Sequence, residues 1–215
     1  MVLLSPSISG LTQLLSVCES YAKSHGLKYN VAKTEMLVFR AGTSPENVTE
    51  VTLNGSVVRV VEQFKYLGHI VTGDRKDDLD MERERRALSV RCNMLARRFA
   101  RCSGEVKETL FRAYCQCFYT CQFWYNYKRS SFSTVRVQYN NAYRILMKLP
   151  RYCSASGMFA EGRMPDFFAI IRSCISSFWD RLRDASNSIL KVICKDLTSL
   201  MMRYWIRAHR EPNKK

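Results

Sequence analysis

Two short stretches of this sequence hold the residue types from which an active or metal site is built. In DRKDDLD, Asp74 to Asp80, the carboxylates of Asp77 and Asp78 are adjacent. Nucleotidyl transfer by two metal ions needs carboxylates that converge on cations about 3.5–4 Å apart. Neighbouring residues in the first turn of a helix diverge, and acids there suit the positive end of the helix dipole, so the pair is expected to serve the helix. The other stretch is Cys115-Gln116-Cys117 with Cys121. Helical residues two apart point different ways, and His69 and His209 do not stand at ligand spacing, so buried free thiols are expected rather than a zinc site. The chain has no phosphate-binding glycine loop, nucleophile elbow or His-Glu metal helix. The residues therefore nominate no catalytic group, no metal ligand and no cofactor.

Charge is the chemistry that remains. Lys and Arg number 34 against 19 acids, a net +15, and Met1 to Asp74 holds six of each sign, so the whole excess follows Asp74. Such asymmetry predicts a polyanionic partner, nucleic acid before membrane. On a helix from Met81 onward, Met81, Leu88, Cys92, Leu95, Phe99 and Cys102 make an apolar stripe, while Arg83, Arg86, Arg97 and Arg101 fall opposite, along about 27 Å of helix. That face is either a solvated charge surface or a track for phosphates. No run approaches the roughly 18 apolar residues of a membrane span. Nine scattered cysteines, an odd number, point to a reducing compartment, hence an intracellular protein of nucleus or cytoplasm.

The elements that must position these residues divide into a mixed part and a helical part. Ile8, Leu11, Leu15, Cys18 and Ala22 recur at helical steps, and His25-Gly26 stops the run. A strand pattern follows within Lys28 to Phe39, with apolar residues on both faces. Ala41 to Asn47 reads as a polar loop, Asn54-Gly55 between β-branched runs as a hairpin, and EQFKYLGHIVT as a further strand. From Asp74 onward the pattern is helical. One helix spans Glu105 to Tyr127 with Val106, Leu110, Ala113, Cys117, Cys121 and Trp124 inward; the next spans Ser133 to Leu149 with Val135, Tyr139, Ala142 and Leu146 inward. CSASGMFAEGRMP reads as a loop. Asp166 caps a helix with Phe167, Ile171, Cys174, Phe178 and Leu182 inward, and Ser188 caps another with Leu190, Ile193, Leu197 and Leu200 inward. The fold class expected is α+β, mostly helical: a small antiparallel sheet with one backing helix, then a basic helical bundle.

Three of these segments in order, MVLLSPSISGL, GLKYNVAKTEMLVF and QFKYLG, together with RERRALSVRCNMLARRFARCS, VQYNNAYRILMKLPR and CSASGMFAEGR, resemble the last part of the reverse transcriptase of a LINE-type (non-LTR) retrotransposon, an RNA-directed DNA polymerase. The resemblance covers nearly the whole chain. It implies the end of a palm in 1–74, a thumb-like bundle in 75–150 and a C-terminal helical extension in 151–215. In that family the acid pair that holds Mg²⁺ comes just before the strand matched by MVLLS, so the metal belongs to the complete polymerase and this chain alone is not expected to extend a primer. With the strand's partner missing, Val2, Leu3, Leu4, Leu37 and Phe39 are expected to be exposed. The resemblance places Lys33 on the pyrophosphate side and Phe64, Lys65, Tyr66, Leu67 and Gly68 at a primer grip, and it makes the arginine-faced helices the thumb that rides on the duplex. Strand burial of Phe64, Tyr66 and Leu67, and a surface position for Lys33, are the plainer alternatives. The expected function is thus that of a reverse-transcriptase-like protein without catalytic aspartates, binding RNA or DNA without sequence preference and in a salt-sensitive way. The alternatives are a partnerless remnant of a decayed element, or a piece of a full polymerase.

Overall fold

Ser7 begins the first helix, α1 (Ile8–Ser24), by accepting the Gly10 N–H on its hydroxyl. The computed structural model that shows this describes residues 1–39 and 48–210. α1 buries Leu15 and Ala22, with Ile8, Leu11 and Cys18 half-buried on the same stripe. It ends at the expected stop: Gly26 takes a left-handed φ of 64°, and the Leu27 N–H returns to the Ala22 carbonyl at 2.8 Å. A 3-10 turn, Val31–Lys33, then occupies part of the stretch expected to be strand, so β1 shortens to Glu35–Leu37. Asn30 favours the turn because its side chain accepts the Lys33 N–H.

The hairpin at Asn54-Gly55 forms as expected. β2 (Thr52–Leu53) and β3 (Ser56–Val57) pair antiparallel about Asn54 and Gly55, with φ of 51° and 74°, the two positive values a tight hairpin turn requires. β4 (Arg59–Val61) pairs with β1 in parallel, Met36 opposite Val60, and the Glu35 carboxylate meets the Arg59 guanidinium beside it. β5 (Gln63–Tyr66) and β6 (His69–Thr72) make a third pair. Among the described residues the strands therefore form three two-stranded pieces, one of them parallel, and not the one small antiparallel sheet that the alternation suggested. Two- to four-residue strands bury too few side chains to knit a wider sheet. Met1 to Ser5 form no strand, and Val2, Leu4 and Phe39 are exposed while Leu3 and Leu37 are half-buried. The polar loop expected at Ala41 to Asn47 lies outside the described residues.

The chain divides into two compact units, Met1–Tyr66 with Val71–Arg75, and Leu67–Ile70 with Lys76–Lys215. Leu15, Met36, Val51, Leu53 and Val58 form the core of the first. Apart from Leu67–Ile70, the second unit is built from helices: α2 (Asp78–Arg98), α3 (Gly104–Cys115), α4 (Arg129–Met147), α5 (Ala155–Glu161), α6 (Phe167–Arg183), α7 (Ser188–Lys195) and α8 (Leu200–Arg210). The whole is mostly helical α+β, as the sequence predicts.

In α2 the predicted stripe is buried at Met81, Leu88, Cys92 and Leu95. The chain leaves the helix at Phe99, so Phe99, Arg101 and Cys102 are not part of it. α2 and α4 run parallel: the Asp78 carboxylate meets the Lys128 N–H and the Ser131 hydroxyl at their N-terminal ends, and Cys92 Sγ lies 3.2 Å from the Ala142 carbonyl further along. α4 starts at Arg129, four residues earlier than expected, and its inward residues Val135, Tyr139, Ala142 and Leu146 are those predicted. Tyr139 stands at the centre of the core, its ring 5.3 Å from Phe111 and 5.2 Å from Phe159, its hydroxyl donating to the Pro165 carbonyl.

Three predicted elements are redrawn. The helix expected from Glu105 to Tyr127 breaks after Cys115, where the chain turns through Thr120, in left-handed backbone at φ 66°, into a short 3-10 turn at Cys121–Phe123. With α3 rotated relative to the expected stripe, Phe111, Cys115 and Phe118 are buried and Val106, Ala113 and Cys117 are exposed. Aromatic residues on every side of this segment hid the true period. CSASGMFAEGRMP holds α5, which seats Met158 and Phe159 in the core in spite of its glycines and serines. Asp166 caps α6 as predicted, accepting the Ala169 N–H. The last expected helix is two: Asn187, not Ser188, caps α7. Asp196 then stops it by accepting from both the Thr198 N–H and hydroxyl, so Leu197 and Leu200 are exposed and α8 buries Met202, Tyr204 and Trp205 instead. One continuous core runs from Met81 to Trp205, across the division expected at 150.

Candidate nucleic-acid interface

The DRKDDLD stretch does more than complement a dipole. Asp77 is 6 % exposed, and one of its oxygens accepts the N–H groups of Tyr125 (2.8 Å) and Asn126 (2.7 Å). Burial pushes its carboxyl up to about 6, against the pull of those two bonds toward the anion. Asp80 is fully buried and gathers the Trp124 indole N–H (2.8 Å), the Ile70 N–H (3.0 Å), the Thr120 hydroxyl (3.2 Å) and the guanidinium of Arg83 (2.7 and 3.2 Å). Burial alone would raise this carboxyl too; the hydrogen bonds from His69, Arg83, Trp124 and Ile70 outweigh it and hold the group well below the usual carboxylate range. Glu84, buried one turn on, takes Arg83 (3.0 Å) and Arg91. Asp80, His69 and Thr120 have the residue types of a nucleophilic triad. Both partners, however, sit on the same imidazole nitrogen, Nδ1, at 3.1 and 2.9 Å, whereas a working triad needs the acid and the hydroxyl on opposite nitrogens. These carboxylates fix the start of α2 to the segment before α4.

The expected arginine face is corrected by this network. Arg83 is turned into the protein by Asp80 and Glu84 and is no phosphate contact, because two carboxylates already compensate its charge. Arg86 shares Glu82 with Arg85 but leaves 73 % of its side chain exposed. Arg97 and Arg101 are exposed, with Arg101 beyond the helix end, so the continuous four-arginine track does not exist.

A different grouping replaces it. Gly104 faces Met147, which brings the C-terminal ends of the parallel helices α2 and α4 to one end of the unit. Arg97 and Arg98 at the end of α2, Arg101 just beyond it, and Lys148 and Arg151 just beyond α4 are exposed, none in an ion pair among the described residues. Glu105, at the start of α3, is the acid nearest to them in sequence.

The positions carried over by resemblance fall in local structure. Lys33 is exposed at the end of the 3-10 turn before β1. Phe64 is half-buried, Lys65 and Tyr66 are exposed, and the Phe64 and Tyr66 rings lie 6.2 Å apart. Leu67 and Gly68 form the turn between β5 and β6 with φ of 46° and 88°, and the Leu67 carbonyl accepts the Tyr119 hydroxyl at 2.7 Å. The structure thus gives Gly68 a steric reason: a Cβ there would stand 3.0 Å from the Tyr119 ring. Of the cysteines weighed for metal, Cys115 and Cys121 are buried and Cys117 is exposed, and burial pushes the Cys115 thiol up to about 12. Among the described residues no group of three or more His, Cys, Asp or Glu is placed to hold a metal ion.

The chain matches no family model, no curated protein and no solved structure. Among the described residues no helix is long and apolar enough to cross a membrane.

One concave site went unseen in the sequence. Between α4, α6 and α8 a pocket of about 150 Å³ is lined by Tyr127, Phe132, Phe168, Arg172, Tyr204 and Arg207, with Ile171 and Ala208. Phe168 and Arg172 stand one helical turn apart on α6, as do Tyr204 and Arg207 on α8, so each half was written at i, i+3 or i+4 spacing. That the two halves face one another follows only from the break between α7 and α8.

Proposed function

We propose that the second unit binds nucleic acid through charge, as the thumb-like and C-terminal part of a protein related to the reverse transcriptases of non-LTR retrotransposons. The carrying observation is the grouping of Arg97, Arg98, Arg101, Lys148 and Arg151 at one end of the bundle, exposed and outside the ion pairs that occupy Arg83, Arg85, Arg86 and Arg91. Uncompensated guanidinium and ammonium groups on two helix ends meet a phosphate backbone without reading bases, and binding then follows counterion release. Asp77, Asp80 and Glu84 are structural in this proposal, and RNA, DNA and their hybrid are bound alike.

The test is fluorescence anisotropy with a labelled RNA–DNA hybrid and a single strand over a salt series. The parent should show a log–log slope of roughly −0.9 per contact on duplex, and Arg97→Gln with Arg98→Gln and Arg101→Gln should flatten it by up to about three contacts' worth. A triple variant with the parent's affinity and slope would refute the proposal. Arg83→Gln is the control: it should lower stability and leave the slope unchanged.

A further inference from the structure

The core of the second unit brings two thiols together that nucleic-acid binding does not use. The 3-10 turn Cys121–Phe123 lies against α6, and two edge-on ring contacts clasp it there: Phe118 on Phe167 at 5.3 Å and Phe123 on Phe178 at 5.1 Å. Cys121 stands between the first pair of ring positions in the chain and Cys174 between the second, on α6, so the clasp sets one opposite the other. The Gln122 carbonyl accepts the Trp205 indole N–H at 2.7 Å, which fixes the turn further. The two cysteine side chains share a hydrogen bond. Cys121 is fully buried and Cys174 is half-buried, so only the second sulfur can be reached from solvent. Both are free thiols.

We propose that Cys121 and Cys174 are a site of reversible oxidation, closed to a disulfide by a peroxide. The division of labour follows from their unequal surroundings. The Cys121 thiol donates to Cys174; that bond lowers the pKa of Cys174, with Arg181 adding to the effect against burial, and together with burial it holds Cys121 well above the ordinary thiol value. Cys174 is therefore the attacking thiolate. Its sulfur takes one peroxide oxygen, the O–O bond breaks, hydroxide leaves, and Cys174 becomes a sulfenic acid. The Cys121 sulfur then displaces the hydroxyl from Cys174 and gives it its proton, so that water leaves as the S–S bond forms. Two thiols and one hydrogen peroxide become one disulfide and two waters; the sulfurs lose the two electrons that the peroxide gains. The thiols of Cys92 and Cys115 are not equipped for this, since burial pushes them up to about 11 and about 12 and both are closed to solvent. The new bond staples α6 to the turn whose neighbours Thr120 and Trp124 hold Asp80, closing a loop of about 50 residues.

The experiment is peptide mapping of the full chain, reduced, freed of reductant and titrated with hydrogen peroxide before its remaining thiols are alkylated. Cys115, Cys117 and Cys121 share one tryptic stretch, 113–128, so fragmentation and a Cys117→Ser chain assign the link. The expected product joins Cys121 to Cys174, is lighter by two hydrogens than the two thiol peptides together, and reverts with dithiothreitol. Cys174 should react about tenfold faster than Cys153 and Cys194, which are half-buried like it. Cys121→Ser should leave on Cys174 a sulfenic acid that dimedone traps, and Cys174→Ser should abolish the link. A link between other cysteines, a stable sulfenic acid on Cys174 of the parent, or a Cys174 no faster than Cys153 would overturn the proposal. The mapping and the rates are read on the unsubstituted chain, so they decide the matter even where a serine variant fails to fold.

Discussion

Replacing Asp80 should cost the second unit more than any other single change at an acidic position. Its carboxylate is fully buried and serves the Trp124 indole, the Ile70 N–H, the Thr120 hydroxyl, His69 and both donor edges of Arg83. Removing one partner of such a buried pair costs about 3–5 kcal/mol, because the remaining charge and donors stay desolvated. That is about a fifth or more of the 5–15 kcal/mol that holds a typical domain together. In a unit of this size it corresponds to a fall in melting temperature of roughly 6–20 °C, at about 2–4 °C per kcal/mol. Asp80→Asn should be nearly as damaging as Asp80→Ala: its amide can offer one oxygen to Arg83 and Ile70, but then turns N–H groups toward the Trp124 indole N–H. The assay is intrinsic fluorescence on heating or in urea, since Trp124, Trp179 and Trp205 all lie in the second unit and report on it alone. An Asp80→Asn variant within about 1 kcal/mol of the parent would show that the donors find water or other acceptors, and that Asp80 does not anchor α2. The pH dependence has a definite sign. A carboxyl held below its unfolded value contributes stability that is present above about pH 4 and is lost as the pH falls toward its folded pKa, so the parent but not the variant should lose stability there.

Asp77 should behave oppositely. Its carboxyl is raised from 3.8 to about 6, so the folded state binds the proton more tightly, and stability should decline as the pH rises from about 4 to about 6, by up to roughly 3 kcal/mol. Asp77→Asn keeps an oxygen for the Tyr125 and Asn126 N–H groups and should remove that slope in urea titrations at fixed pH values; an unchanged slope would contradict the assignment. Leu67→Gly should stabilise the turn between β5 and β6, by about 1 kcal/mol, since Leu67 is exposed and held at φ 46° where a side chain is strained. Hydrogen exchange of the Gly68 and His69 amides measures this directly, and faster exchange in the variant would mean that the leucine side chain holds the turn.

What the sequence discloses here depends on whether a residue's role is set by its neighbours in the chain or by a partner far from it. Asn54-Gly55 and His25-Gly26 are legible because a positive φ is a local demand that few residues meet. Val135, Tyr139, Ala142 and Leu146 are legible because one face of α4 is buried and the other is not. Arg83 is not legible, for the opposite reason. On the helical wheel it stands with Arg86 and Arg97, away from Met81 and Leu88, yet Asp80 and Glu84 on its own helix draw it inward, since both carboxylates are buried and need a counter-charge more than the arginine needs water. The acids at i−3 and i+1 are visible in the sequence; what is not visible is that Asp80 serves the indole of Trp124, forty-four positions away, inside the core. The same long-range term hid the break after Cys115: Thr120 tolerates left-handed backbone because its hydroxyl is held by Asp80, beside His69, which no pattern within Glu105 to Tyr127 contains. Charge therefore singles out the second unit as the basic one, but which of its cations remain exposed and unpaired is decided by where the buried acids lie. In this chain that moves the proposed interface from the middle of α2 to the shared end of α2 and α4.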